Sequence, residues 1–188
     1  MHAAGKSLAA RRLTCEAGGC SFFLSSRTLG YTGCRVSKKK SKADRPRWKG
    51  PWLIHFFKRH VDDHPTQSVP GREFLDSCPK SVRAKLAAII KAVADAPPPM
   101  FSGGGKWEAM HGDMSGFYEA RTDGENRAHF RLFCILERDG ASVGLRGPSL
   151  VVITGMRKPF RTTFTDKDYG EVSALGREYF KRKPRSVA

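Results

Sequence analysis

Residues 127–136 read Arg-Ala-His-Phe-Arg-Leu-Phe-Cys-Ile-Leu, with basic and apolar side chains alternating at the start. Successive side chains of a strand point to opposite faces, so Arg127, His129 and Arg131 share one face. The other face carries Ala128, Phe130, Leu132, Cys134 and Leu136. Because a core cannot take up two unpaired guanidinium groups at low cost, we expect the basic face to meet solvent or a ligand.

The segment before this strand shows the same alternation. Residues 117–121, Phe-Tyr-Glu-Ala-Arg, place Arg121 and Glu119 on one face of a second strand. Between the two strands lies Thr-Asp-Gly-Glu-Asn at 122–126. A short polar loop that contains glycine is typical of a β-hairpin. We therefore predict two antiparallel strands with Arg121 and Arg131 facing the same way.

A third strand is predicted from the apolar run Leu-Val-Val-Ile at 150–153. Such a run between turn signals indicates a buried, central strand. It leads into Arg157 and Lys158, so the strand ends in a pair of cations. The region from Phe117 to Lys158 thus predicts a three-strand meander with a cationic face suited to phosphate groups.

Two helices are predicted upstream of the meander. Residues 52–57, Trp-Leu-Ile-His-Phe-Phe, favour a first strand because they are aromatic and β-branched. Pro70 predicts the start of a short helix that ends at Cys78-Pro79. Ser81 is expected to cap a longer helix. The buried stripe of that helix has helical spacing: Val82, Leu86, Ile89, Ile90 and Val93.

A last helix is predicted from about Asp166 to Arg182. Thr165 suits its cap, and Asp168 three residues later completes the pattern of a capping box. The predicted fold class is therefore α+β. It is a small, mostly antiparallel sheet with a helix pair between the first strand and a three-strand meander, plus a C-terminal helix.

The charge of the chain is unevenly distributed. The 188 residues carry a formal net charge of +16. Residues 1–50 hold 12 Lys and Arg against 2 acids, a net of +10, which leaves +6 for the other 138 residues. A basic surplus in both parts favours a polyanionic partner, and nucleic acid is favoured over an anionic membrane because no strongly amphipathic basic helix stands out. No apolar run approaches the roughly 20 residues that span a bilayer, so we expect a cytoplasmic protein.

Residues 1–50 are expected to form a basic, disordered extension. They are rich in Ser, Gly, Arg and Lys and show no sustained apolar period. Two other interpretations stay open: an organelle transit peptide, or translation from upstream of the real start, with Val36 as an internal start codon. The run Lys38–Lys42 is a solvated charge run or a nucleic-acid contact.

No cofactor or metal is predicted. The five cysteines are odd in number and scattered, which argues against a disulfide framework. A zinc site built from Cys15, Cys20 and Cys34 lacks a fourth ligand at suitable spacing. Cys78 and Cys134 are expected to be small core residues. His60, Asp62, Asp63 and His64 resemble a metal-ligand set, but a polar turn is the favoured interpretation.

The order of these elements resembles the RelE/ParE superfamily of toxins from type II toxin–antitoxin systems, and most closely its phage-associated HigB branch. Three segments carry the resemblance: Pro-Lys-Ser-Val-Arg-Ala-Lys-Leu-Ala-Ala-Ile-Ile at 79–90, Gly-Phe-Tyr-Glu-Ala-Arg at 116–121 and His-Phe-Arg-Leu-Phe at 129–133. It assigns residues 51–188 to a toxin domain. The chain departs from the family pattern after the last strand, and Thr154-Gly155 replaces a histidine that relatives carry there.

The resemblance implies a metal-independent endoribonuclease that cuts mRNA, often on the ribosome, and is held inactive by a cognate antitoxin, which we expect to be of the helix-turn-helix type. Such cleavage needs a base for the ribose 2′-OH, cations for the phosphorane and an acid for the leaving oxygen. The candidate catalytic residues are Arg121, Arg131, Lys158 and His129. The candidate RNA-binding residues are Lys106, Trp107, His111, Arg127, Arg157 and Arg161.

Structural roles compete with these assignments. Arg121 would then pair with Glu119 or Glu125 as an ordinary surface arginine. His129 would be a half-exposed strand histidine, and Trp107 would pack on the sheet edge instead of stacking on a base.

Two other functions stay open beside the nuclease. One is a ParE-like inhibitor of DNA gyrase without nuclease activity. The other is a phage-derived RNA-binding module without turnover. ParE-like proteins do without the catalytic cations, so the presence of Arg121, Arg131 and Lys158 favours the nuclease over the gyrase inhibitor.

Overall fold

The computed structural model describes Trp48, Gly50 and residues 51–98, 100–101 and 103–188. All of them belong to the unit Arg45–Ala188. Their strands and α-helices are, in chain order, β1 Leu53–Phe56, α1 Pro70–Ser77, α2 Lys80–Asp95, β2 Trp107–Ala109, β3 Phe117–Asp123, β4 His129–Glu137, β5 Ser149–Lys158 and α3 Asp166–Phe180. Apart from Trp48 and Gly50, the predicted basic extension lies outside the described residues, and so do the predictions on Cys15, Cys20 and Cys34, on Val36 and on Lys38–Lys42.

The strands form one sheet in the order β1-β5-β4-β3-β2. The meander β2–β5 is antiparallel, whereas β1 pairs with β5 in parallel. The predicted α+β class is confirmed, but the sheet is mixed and not mostly antiparallel. The reason is that the chain crosses over through α1 and α2 before it returns to the sheet, which brings β1 beside β5 in the same direction. The short strand β2 was not predicted.

Helices cover both faces of the sheet. On one face α2 buries Val82, Leu86 and Val93 against Phe130 and Leu132 of β4. On the other face, α3 and neighbouring segments form a second apolar cluster, whose buried members include Phe133, Ile135, Ile153, Val172 and Tyr179. The second half of β4 is therefore buried on both faces, and the basic face predicted for it is limited to the first half.

Most of the helix ends lie where the sequence predicts them. Pro70 is the first residue of α1, as predicted. Ser81 does not cap α2, because that helix already begins at Lys80 with Pro79 as its cap residue and no side-chain cap hydrogen bond. The capping box of α3 is confirmed: the Thr165 N–H donates to Asp168 Oδ2 at 2.7 Å, and Thr165 Oγ1 accepts from the Asp168 N–H.

A glycine allows α3 to lie close to the sheet. The ring of Phe117 in β3 stands so near Gly176 that a Cβ at that position would be 2.2 Å from the ring. The usual cost of a glycine in a helix interior is thus offset by a close helix–sheet contact. Cys78 and Cys134 are free and buried, as predicted. No helix among the described residues is long and apolar enough to cross a membrane.

The C-terminal residues cover one edge of the sheet. The Phe56 N–H donates to the Ala188 carbonyl at 3.1 Å, and the Ala188 N–H donates to the Phe56 carbonyl at 2.9 Å. Phe57 and Val187 form an antiparallel bridge beside this pair. At Phe56 the backbone of β1 is therefore paired on both sides, which covers this end of the strand edge.

Candidate nucleic-acid site

The register of the meander gathers the four predicted catalytic side chains. Arg121 of β3 lies opposite Arg131 of β4, and His129 of β4 lies opposite Lys158 of β5. All four belong to the face that α3 covers, at the end of the sheet beyond its apolar cluster. The cluster therefore arises from strand pairing, because these residues are up to 37 positions apart in the sequence.

A β-bulge in β5 decides which terminal cation joins this cluster. Phe133 pairs with Thr154 and Cys134 with Val152, so Ile153 has no partner in β4. Because of this extra residue, each later side chain of β5 points to the face opposite to the one that simple alternation predicts. Lys158 consequently shares a face with His129, whereas Arg157 lies on the opposite face, 5.6 Å from the centre of the Phe130 ring. Arg157 is therefore not part of the cluster.

Each cation of the cluster contacts a carboxylate. Arg121 Nη2 lies 2.6 Å from Glu108 Oε2, and Arg121 Nε is also hydrogen-bonded to Glu119. Arg131 Nε lies 3.6 Å from the same Glu119 oxygen. The structural alternative for Arg121, pairing with Glu119, is thus present, although Arg121 also belongs to the cluster. Pairing of this kind reduces the attraction of the cluster for a phosphate.

Glu119 is the most unusual member of the group. It is 2% exposed, yet it is an ionisable side chain that lies between two arginines. Its second oxygen, Oε2, is buried and has no hydrogen-bond partner. A buried carboxylate is tolerated when cations compensate it, so Glu119 and the two guanidinium groups stabilise one another. The result is a fixed spacing between Arg121 and Arg131.

His129 is held by Asp123. The Nδ1 atom lies 2.8 Å from Asp123 Oδ1, and the two residues are opposite each other in the β3–β4 register. A carboxylate at this distance favours the tautomer with hydrogen on Nδ1. The Nε2 atom is then the nitrogen that can accept a proton from a ligand.

Lys158 is tied to the start of α3. Its Nζ atom lies 2.9 Å from Asp168 Oδ2. The Thr165 backbone N–H and the Lys158 ammonium lower the pKa of Asp168 to about 2. The Phe164 ring lies beside this pair, with the Lys158 Nζ 5.8 Å and the Arg131 Cζ 5.9 Å from its centre. Lys158 is therefore fixed by a capping residue as well as by the sheet.

Arg121, His129 and Arg131 line two cavities. One, of about 340 Å³, is also lined by Lys106, Thr122 and Asp123. The other, of about 330 Å³, is lined in addition by Glu119, Thr162, Thr163, Phe164 and Tyr169. Burial and, next, the Glu119 carboxylate raise the pKa of Tyr169. The Tyr169 hydroxyl therefore stays protonated at neutral pH and can donate a hydrogen bond.

The predicted RNA-binding residues separate into two groups. Lys106 lines the first cavity, and Arg127 and Arg161 lie over the ring of Phe160 next to His129. Trp107, in contrast, is 5% exposed and stacks on Tyr118, so its prediction as a base-stacking residue is wrong and the structural alternative is confirmed.

His111 lines neither of these two cavities. It lines a separate, larger cavity of about 710 Å³ along α3, together with Met110, Met114, Phe117 and Ser173. Its prediction as a member of the same RNA-binding face is therefore not supported by its position. The prediction relied on the position of His111 shortly before β3 in the sequence. Sequence position does not determine on which face of the sheet a loop residue lies.

Several residues of the site were not identified from the sequence as site residues. These are Glu108, Asp123, Phe160, Phe164, Asp168 and Tyr169. Asp123 belongs to the predicted hairpin, and Asp168 was identified only as a capping residue. Cross-strand pairing with a predicted cation would have identified Asp123 once the hairpin register was fixed.

The turn His60–His64 is held by ion pairs. Arg182 contacts Asp62 at 3.3 Å and Asp63 at 2.7 Å, and Lys181 contacts Asp63 at 3.0 Å. Hydrogen bonds from Arg182 and Lys181 lower the pKa of Asp63. Within the described ranges, no group of three or more His, Cys, Asp or Glu side chains is placed to hold a metal ion. The polar-turn interpretation therefore describes this segment.

No protein-family model matches the chain, and comparisons with curated proteins and with solved structures likewise give no match.

Proposed function

We propose that the protein is a cytoplasmic, RNA-cleaving toxin of a type II toxin–antitoxin system that acts on mRNA, with the ribosome as the place of cleavage. One observation carries the proposal: His129, oriented by Asp123 at 2.8 Å, lies in the same cavity wall as Arg121 and Arg131. A positioned imidazole beside two guanidinium groups is what cleavage by the ribose 2′-OH requires.

The reaction proceeds by displacement within one nucleotide. His129 Nε2 accepts the 2′-OH proton while the 2′-oxygen forms a bond to phosphorus and the bond from phosphorus to the 5′-oxygen breaks. Arg121 and Arg131 stabilise the charge on the phosphorane oxygens, because guanidinium groups bind phosphate in a bidentate way. Lys158, opposite His129 in the sheet, supplies a proton to the leaving 5′-oxygen. The products are a 2′,3′-cyclic phosphate and a 5′-hydroxyl.

Glu119 contributes by positioning. It contacts Arg121 and Arg131 from the protein interior, so the two cations need little reorganisation when phosphate binds. A cognate antitoxin would silence such a site by covering the end of the sheet where the two cavities open.

A second candidate function is RNA binding without turnover. It is favoured by the carboxylate partners of the cluster, since Glu108, Glu119, Asp123 and Asp168 offset the charge of the cations. In this alternative the same face binds single-stranded RNA weakly and leaves it intact.

The test combines cleavage in cells with analysis of the product ends. The chain is induced in a bacterium and new RNA 5′ ends are mapped; purified protein is then given RNA, alone or on intact ribosomes, in the presence of EDTA. We expect new 5′-hydroxyl ends and a 2′,3′-cyclic phosphate. A 5′-phosphate product would contradict the mechanism, and binding without new ends would favour the second candidate.

Matched variants distinguish catalysis from general charge effects. Arg131→Ala and His129→Ala should each lower the cleavage rate by roughly 10²- to 10³-fold. Arg157→Ala removes the same charge from the opposite face of the sheet, and His111→Ala removes an imidazole from the larger cavity. These two controls should cleave at nearly the wild-type rate. Equal losses in all four variants would refute the site.

A further inference from the structure

An exposed aromatic ring borders the cluster and is flanked by two arginines. The Phe160 ring is 40% exposed, and the Cζ atoms of Arg127 and Arg161 lie 5.2 and 5.4 Å from its centre. The ring of His129 lies 6.3 Å away, centre to centre. An exposed aromatic ring with cations beside it is suited to bind a ligand that has a flat ring and carries negative charge.

Strand register brings this patch together from two loops. Arg127 comes two residues before His129 in β4, and Phe160 comes two residues after Lys158 in β5; His129 and Lys158 are themselves paired. The loop before β4 and the loop after β5 therefore leave the sheet side by side. The patch is thus attached to the same pair of strands that holds His129 and Lys158, which fixes its distance from the proposed reaction centre.

The backbone beneath both arginines is in a rare conformation. Arg127 has φ 56° and Arg161 has φ 63°, both in the left-handed region. Residues with a Cβ adopt this region at an energetic cost, and such strain is concentrated at functional positions. Here it occurs at the two residues whose guanidinium groups meet over one exposed ring.

We infer that Phe160, with Arg127 and Arg161, is a stacking platform for the nucleobase of a single-stranded nucleotide next to the scissile phosphate. This inference rests on the proposed function and extends it by naming a base-binding subsite. Aromatic rings and guanidinium planes are the surfaces on which unpaired bases stack. Every base has a flat face, so the platform binds bases without strong sequence preference, and the arginines attract the adjoining phosphates.

The experiment measures binding separately from cleavage. The full chain is titrated against a short, fluorescent, fully 2′-O-methylated RNA, which cannot undergo 2′-OH attack, and against an abasic oligomer with the same number of phosphates. Phe160→Ala and Phe160→Leu should each weaken binding of the RNA by between about 5- and 150-fold, the value of one stacked base. Phe160→Trp should bind at least as tightly as wild type. All three should bind the abasic oligomer as wild type does.

Phe180→Ala is the matched control. Phe180 is 47% exposed and also has an arginine over its ring, but it lies at the far end of α3, about 21 Å along the helix from Asp166. This variant should bind RNA as wild type does.

Three results would overturn the inference. The first is wild-type RNA affinity in Phe160→Ala, and the second is an equal loss for the abasic oligomer, which would show that the ring only positions the arginines. The third is no binding of either oligomer by the wild-type chain; new RNA ends in induced cells would then leave the proposed function standing without the platform. Tight, Phe160-dependent binding together with unmodified RNA that stays intact would refute cleavage alone and leave the platform standing.

Discussion

Glu119→Gln is the most informative single substitution in the site. It keeps the shape of the side chain and removes the buried negative charge between Arg121 and Arg131. One charge-assisted hydrogen bond and one ion pair are weakened. A net contribution of about 1.5–3 kcal/mol is usual for a hydrogen bond to a charged group.

The expected loss of stability in Glu119→Gln depends on how far the three side chains are exposed to water. The side chain of Glu119 is only 3% exposed, whereas those of Arg121 and Arg131 are 34% and 19% exposed, so water compensates part of what the arginines lose. We therefore expect a loss of about 2 kcal/mol in the free energy of unfolding, which is less than the roughly 3–5 kcal/mol for breaking a fully buried pair. In a protein of this size, the melting temperature should fall by about 4–8 °C.

The assay is urea unfolding of the wild type, Glu119→Gln and a matched control, Glu108→Gln. Glu108 pairs with the same arginine but its side chain is 44% exposed, so its replacement should change the free energy of unfolding by less than about 1 kcal/mol. RNA binding should move the other way, with higher affinity in Glu119→Gln because the arginines are no longer neutralised. Equal stability of Glu119→Gln and wild type, or an equal loss in both variants, would refute the argument.

Three further predictions concern folding. Phe130→Ala should lower the free energy of unfolding by about 3 kcal/mol or more in denaturant titrations, because Phe130 is 3% exposed. A loss as small as that of a surface substitution would show that the strand register is wrong. Asp168, with a pKa of about 2 when folded against an ordinary value of 3.8, should stabilise fully above about pH 4 and lose this contribution as the pH falls to about 2. Thermal melts of Asp168→Asn should lack that part of the acid sensitivity; a wild-type pH profile in this variant would contradict the Lys158 and capping contacts. Trp48→Ala should lose about 1 kcal/mol, since the indole ring is 43% exposed and packs on one side against Gly147, just before β5; a melt unchanged by Trp48→Ala would refute this packing.

The facing of β3 and the first half of β4 could be predicted because alternation is a property of the local chain. Arg121, Glu119 and Arg131 lie on one face, and Phe130 and Leu132 lie on the other, as their period of two requires. The parallel pairing of β1 could not be predicted in the same way, since it depends on how α1 and α2 lead the chain back to the sheet. Trp107 was misassigned because burial of an edge strand depends on its neighbour Tyr118, not on its own segment.

Alternation also fails where a strand contains a bulge. Simple alternation from Ile153 would place Arg157 on the face of the cluster and Lys158 on the opposite face. Because Ile153 is unpaired, the observed arrangement is the reverse: Lys158 is on the face of the cluster and Arg157 is on the opposite face. The apolar run at 150–153 does not itself mark the position of the bulge, because it is buried on both faces. The choice between two adjacent cations, which decides the proposed proton donor, is therefore made by a backbone irregularity.

In the proposed function, the charge pattern would separate the capture of RNA from the reaction with it. The inner cations Arg121, Arg131 and Lys158 have carboxylate partners, which limits their long-range attraction but fixes their positions. In the part of the chain that the structure describes, no ion pair is formed by the outer cations, Lys106, Arg127 and Arg161. Unpaired charge attracts a polyanion over a distance, whereas preorganised charge lowers a barrier at contact. A site with paired cations at its centre and unpaired ones at its rim is thus consistent with weak, salt-dependent capture at the rim, followed by firm positioning of one phosphate at the centre.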